Sequence, residues 1–227
     1  MWYKSITIKL ISIIGLAAAL GVGIFATINI DIQEKGLTAE VIRGVRQFSE
    51  TVKRSTWHDM LKDQRDNVYR TMNSIAQQEG VEKVRIFNKE GRIMFSTDIS
   101  EGGKTVDLKA EACYACHSMK KPLERLDTPE RQRIFRSKAG YRVLGMISPI
   151  YNEEACYTAV CHAHPKSQKV LGVLDIDMSL AKIDSTIGAA RYRMILFAGI
   201  SILTISLIIG FFIHRVITRP VQQLVDG

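Results

Sequence analysis

Residues 81–98, Val81-Glu82-Lys83-Val84-Arg85-Ile86-Phe87-Asn88-Lys89-Glu90-Gly91-Arg92-Ile93-Met94-Phe95-Ser96-Thr97-Asp98, decide the fold class. Two runs rich in Val, Ile and Phe, 81–88 and 93–98, flank a polar turn containing Gly91, and this spacing predicts an antiparallel hairpin. Further along, 142–150 and 169–178 are again rich in Val, Leu and Ile, with Gly145 and Gly172 inside them. They read as two more strands joined by a long loop. Thr128-Pro129-Glu130 combines a capping hydroxyl, a proline suited to the first helical position and an acid near the positive helix end, so a short helix is expected to about Lys138.

Before the hairpin, Ile42, Val45, Phe48 and Val52 recur at helical spacing, and Leu61, Val68, Met72 and Ile75 do so again. At about 100° per residue the two stripes point to nearly opposite sides, changing near Ser55 and Thr56. One long helix closed by Gly80 is expected to face a dimer mate through its first stripe and the globular domain through its second. Ser179 is placed to cap a final helix. The order helix, hairpin, insertion, short helix, strands, helix predicts an α+β domain with one antiparallel sheet.

Hydrophobic residues make up 46% of the 227 residues and charged residues 24%, which excludes a disordered or fibrous chain. Two uncharged runs, 10–30 and 194–213, each match the roughly 20 residues needed to cross a hydrocarbon core of about 30 Å. They predict transmembrane helices over 10–30 and 191–213, with residues 1–9 before the first. A cleaved signal peptide is the alternative for the first run, but the stretch exceeds the usual h-region of about 7–15 residues. Lys4 and Lys9 against Lys35, Arg43 and Arg46, and Arg215 and Arg219 against Arg191 and Arg193, leave the positive-inside count nearly tied. The net charge of +8 comes from basic residues scattered among acids, with no basic run interleaved with aromatics, so no nucleic-acid partner is expected.

The four cysteines form two units of one design, Cys113-Tyr114-Ala115-Cys116-His117 and Cys156-Tyr157-Thr158-Ala159-Val160-Cys161-His162. The first is the attachment pattern of haem c: two thiols form thioethers with the vinyl groups and the adjacent histidine reaches the iron. The second keeps Cys161 and His162 in the same relation, with two more residues between the thiols. A structural zinc site, a redox dithiol and disulfides compete with haem. None of these requires a histidine directly after each second cysteine. Two haems are expected, one at minimum. Because haem c is attached outside the cytoplasm, the motif places 31–190 outside, in the periplasm, and makes the chain a two-pass protein of a bacterial inner membrane.

The second motif resembles the wide-spaced attachment sites of cytochrome c3-type proteins. The whole chain resembles bacterial transmembrane receptors with a periplasmic PAS-like or Cache-like domain between two spans. It is most similar to the haem c-containing sensor domains of chemotaxis receptors and sensor histidine kinases. After the second span, Arg219-Pro220-Val221-Gln222-Gln223-Leu224 resembles the start of a HAMP linker, here residues 214–227. The resemblance implies a PAS/Cache-like sheet with haem-bearing insertions and a cytoplasmic signalling module, a histidine kinase or chemotaxis domain, outside this sequence. It also implies a homodimer that senses redox state or a diatomic ligand. No catalytic motif is present in this chain, so any enzymatic activity would belong to that module.

Of five histidines, His214 sits at the edge of the second span, which leaves His58, His117, His162 and His164, the number two bis-histidine haems would use. His58 and His164 are therefore candidate iron ligands beside His117 and His162. His164 is too close in sequence to His162 to reach the opposite face of the same ring, and suits a neighbouring haem. Met60, Met72, Met94 and Met146 are alternative distal ligands. The rival function is a membrane-anchored cytochrome passing electrons to periplasmic partners, for which a second span and a HAMP-like tail have no use.

Overall fold

The computed structural model describes residues 2–106, 113, 117, 131–159, 164–220 and 223. The chain divides into two compact units, one of residues 39–183 and one of residues 1–38 with 184–227.

Helix α1 covers Trp2–Leu61 and α2 covers Arg65–Ala76. The expected single long helix is therefore two helices. The break is chemical: Asp63 adopts φ +53, its N–H donates to the carbonyl of Met60 at 3.2 Å, and the N–H of Gln64 donates to that of Asp59 at 2.8 Å. This is a Schellman arrangement, with Asp63 in the left-handed position usually taken by glycine.

Strands β1 (Val81–Asn88) and β2 (Ile93–Ser96) form the expected hairpin. Strand β3 covers Gln132–Arg136, β4 covers Arg142–Tyr151 and β5 covers Val170–Ser179. All pair antiparallel in the order β2-β1-β5-β4-β3. The short helix expected up to Lys138 is corrected: residues 132–136 are an edge strand, and its proposed cap at 128–130 lies outside the described residues. Pairing with β4 overrides the local helix signal, because the turn Ser137–Gly140 returns the chain with Gly140 at φ +92 and a bond from Ser137 N–H to the Tyr141 carbonyl. Between β4 and β5 lies one helical turn, α3 (Glu154–Tyr157). Ser179 Oγ accepts from the N–H of Ala181 at the start of α4 (Ala181–Ile213), which passes into a π turn over His214–Thr218.

One sheet face carries Val84, Leu144, Met146, Leu174 and Ile176, all buried. It receives Val45, Ser49, Val52 and Thr56 of α1 and Val68 and Met72 of α2. The small side chains let α1 approach closely, and the hydroxyls of Ser49 and Ser148 bond at 2.8 Å across the interface. The first apolar stripe thus covers the domain's own sheet, which corrects its assignment to a dimer mate.

In the other unit, Arg191 of α4 pairs with Glu34 of α1 at 2.8 Å. Both α1 and α4 carry apolar runs long enough to cross a membrane. Large side chains along them, such as Phe25, Leu203 and Phe211, are more than half exposed, as a lipid-facing surface requires.

Candidate functional site

The other face of the sheet is covered as well. Phe87, Ile93 and Ile147 are buried there, and Val106 and Cys113 pack on them. The first motif is anchored at this apolar patch through half-buried Cys113, while His117 is exposed. Cys116 lies outside the described residues.

The second motif opens on the helix side, at the end of the sheet where β5 begins. Cys156, on the single turn of α3, is buried. The loop that follows is fixed at its base by Asn152, whose Nδ2 donates to the carbonyls of Pro165 (3.0 Å) and Gln168 (2.8 Å). His164 N–H donates to the Cys156 carbonyl at 3.4 Å, closing the segment that contains Cys161 and His162, which lie outside the described residues. Cys156 and His164 line a cavity of about 270 Å³ whose opposite wall includes Trp57, Met60, Tyr69 and Met94. The wall also includes Asp63 and Gln64, the residues that break α1 from α2.

Among the candidate ligands the structure therefore brings together Cys156, His164, Met60 and Met94. Met72 and Met146 are core residues, 0% and 1% exposed. His58 is exposed on the last turns of α1 and is absent from the cavity wall, although Trp57 and Met60 beside it are present. Among the described residues no three His, Cys, Asp or Glu side chains converge as a metal cluster. One thiol of each motif, Cys113 and Cys156, sits against apolar side chains, where a group tethered to it would be shielded from water.

A second constellation was missed from sequence. On the face that carries Cys113, Arg85 donates to Asp175 Oδ2 through Nε (3.0 Å) and Nη2 (2.6 Å), and Arg133 Nη2 donates to Asp175 Oδ1 (2.8 Å) and Asp177 Oδ1 (3.0 Å). Lys83 pairs with Glu101 at 2.6 Å at its border. Burial, together with the neighbouring Asp175 charge, pushes the Asp177 carboxyl up to about 7 against the pull of the two arginines. The available signal was the pair Asp175 and Asp177, two residues apart and so on one face of an otherwise apolar strand. Its three salt-bridged strands make it a staple across β1, β5 and β3.

No protein-family model matches this chain, and no curated protein is significantly similar to it.

Proposed function

We propose that this chain is the sensory part of a two-pass bacterial inner-membrane receptor whose periplasmic domain carries two covalently attached haems c. The observation that carries the reading is the seating of both motifs. Cys113 packs on Phe87, Ile93 and Ile147, Cys156 lines a largely apolar cavity, and each belongs to a complete cysteine-cysteine-histidine unit. An antiparallel sheet backed by a helix that continues into an apolar run, with a second such helix leaving β5, also supports a PAS-like or Cache-like receptor domain.

When bound, haem supplies an iron that changes charge or ligation with redox poise or a diatomic gas. The thiols of Cys113, Cys116, Cys156 and Cys161 would hold the rings, and His117 and His162 would hold the irons. His164, too close in sequence to His162 to reach the opposite face of the same ring, would serve a neighbouring haem. The domain's own contribution is to exclude water with Phe87, Ile147 and the cavity wall. It also connects that wall to α1, so that a change at the site biases a two-state helix pair. We place residues 31–190 outside, a homodimer as the working assembly, and a cytoplasmic module after the HAMP-like tail as the output.

The experiment is a reduced-minus-oxidised spectrum and a denatured mass of full chain matured with a c-type attachment system. Haem c bands and a mass increment of two haems are expected. A colourless protein with unmodified cysteines overturns the reading.

A further inference from the structure

The two cysteine motifs are seated in different surroundings, although Phe87 borders both. Cys113 packs on Phe87, Ile93 and Ile147, on the sheet face away from the helices. The cavity of Cys156 and His164 is walled by Ile86, Ile150 and Gly172 from the helix-facing side, and by the ends of α1 and α2.

We infer that this cavity receives the edge of the tetrapyrrole carried by the second motif, and that this cofactor alone acts on the α1–α2 junction. The inference rests on the haem reading above. The cavity, about 270 Å³ and open on one side, lies just below the roughly 300–1,000 Å³ of pockets that enclose a whole small molecule. It suits one edge of a ring tethered at Cys156.

The junction is built to have two states. The apolar pattern on either side of it is that of a helix, yet Asp63 adopts the left-handed conformation, which is costly for a residue with a Cβ. The side-chain bonds holding it are exposed and weak: Arg65 Nε to Asp63 Oδ1 at 3.0 Å, and Asn67 Nδ2 to Gln64 Oε1 at 2.9 Å. An apolar edge inserted against Met60, Leu61 and Val68 would hold the broken form, and its withdrawal would release it. Met60 belongs to α1, the helix that also carries the first apolar run.

The test is hydrogen exchange of the intact chain in detergent, with haem content at each motif read by mass in the same samples. In C156A/C161A, amides 61–66 are expected to exchange about tenfold faster or more, while in C113A/C116A they stay within about twofold of the parent. Amides of β4 and β5 report that the fold is retained. Equal effects of the two double variants, or an effect of C113A/C116A alone, overturn the inference while haem attachment stands. A parent lacking haem at both motifs overturns the underlying reading, and the inference with it. Should C156A/C161A lose the sheet's protection, Met60→Trp fills the cavity with all cysteines intact. It is expected to alter the electron paramagnetic signature of one haem and leave the other unchanged. Two unchanged signatures, or two altered ones, overturn the inference.

Discussion

Arg133 lies across Gly145, its partner in the β3–β4 register, and a methyl group at position 145 would overlap the guanidinium. The guanidinium lies 5.6 Å from the Phe135 ring centroid and, among the described residues, leaves Nε and Nη1 without hydrogen-bond partners. Gly172 is different: a methyl group there would meet the backbone carbonyl of Phe87 on β1. A flexible guanidinium can move aside, whereas a carbonyl in a strand cannot.

Gly145→Ala is therefore expected to cost about 1–3 kcal/mol, through loss of the Arg133 bonds to Asp175 and Asp177. Gly172→Ala should cost more, about 3 kcal/mol or above, because it separates β1 from β5 beside the cavity. Thermal unfolding of the two variants in detergent gives the order, and a milder effect at Gly172 would contradict the geometry.

These glycines also mark what was legible in the sequence. The hairpin, the two later strands, the Ser179 cap and both apolar runs follow from local patterns, and the structure has them. The Asp63 break was hidden because its cap residue is not glycine, and the change of phase between the two apolar stripes is equally that of one helix facing two partners. The edge strand at 132–136 was hidden because its pairing with β4 is a tertiary fact that the local Thr-Pro-Glu signal does not contain. At the candidate site, the two cysteine-histidine units were legible as motifs from their spacing. The cavity wall was not, because Met60, Tyr69 and Met94 come from three separate elements.

Asp177 links stability to pH. Its folded carboxyl titrates at about 7, above the unfolded value of about 3.9, so the folded state binds the proton more tightly. Its contribution therefore favours folding at low pH, declines as pH rises from about 4 to about 7, and is constant above that. Asp177→Asn keeps an acceptor for Arg133 and removes the titration. Between pH 5 and pH 8 the variant should gain on the parent by on the order of 1–3 kcal/mol. Denaturant midpoints at the two pH values check it, and a gain on going to low pH would reverse the sign.

Val45 is 4% exposed against Leu144, Met146 and Leu180, so it belongs to the domain's core. Val45→Asp buries an unpaired carboxylate and should destabilise the domain by about 3 kcal/mol or more, with raised hydrogen exchange in β4. A reversal of Arg46, the exposed residue next to it, should stay within about 0.5 kcal/mol. If Val45→Asp instead left exchange unchanged and dissociated a dimer, the stripe would face a second copy after all.

The last prediction separates the candidate distal ligands. Met60 and Met94 line the cavity that Cys156 enters, while His58 is exposed and does not. A methionine sulfur on an iron raises its potential relative to two imidazoles. If Met60 is such a ligand, Met60→His should lower the midpoint of one haem by on the order of 0.1 V, a modest part of the roughly 0.8 V that axial ligands span. His58→Ala should leave both midpoints and the low-spin absorption in place, because nothing on the cavity side changes. Redox titration followed in the visible bands reads both variants. A high-spin shift in His58→Ala, with midpoints unmoved in Met60→His, would return the distal role to the histidine, and α1 would then have to turn to carry that side chain inward.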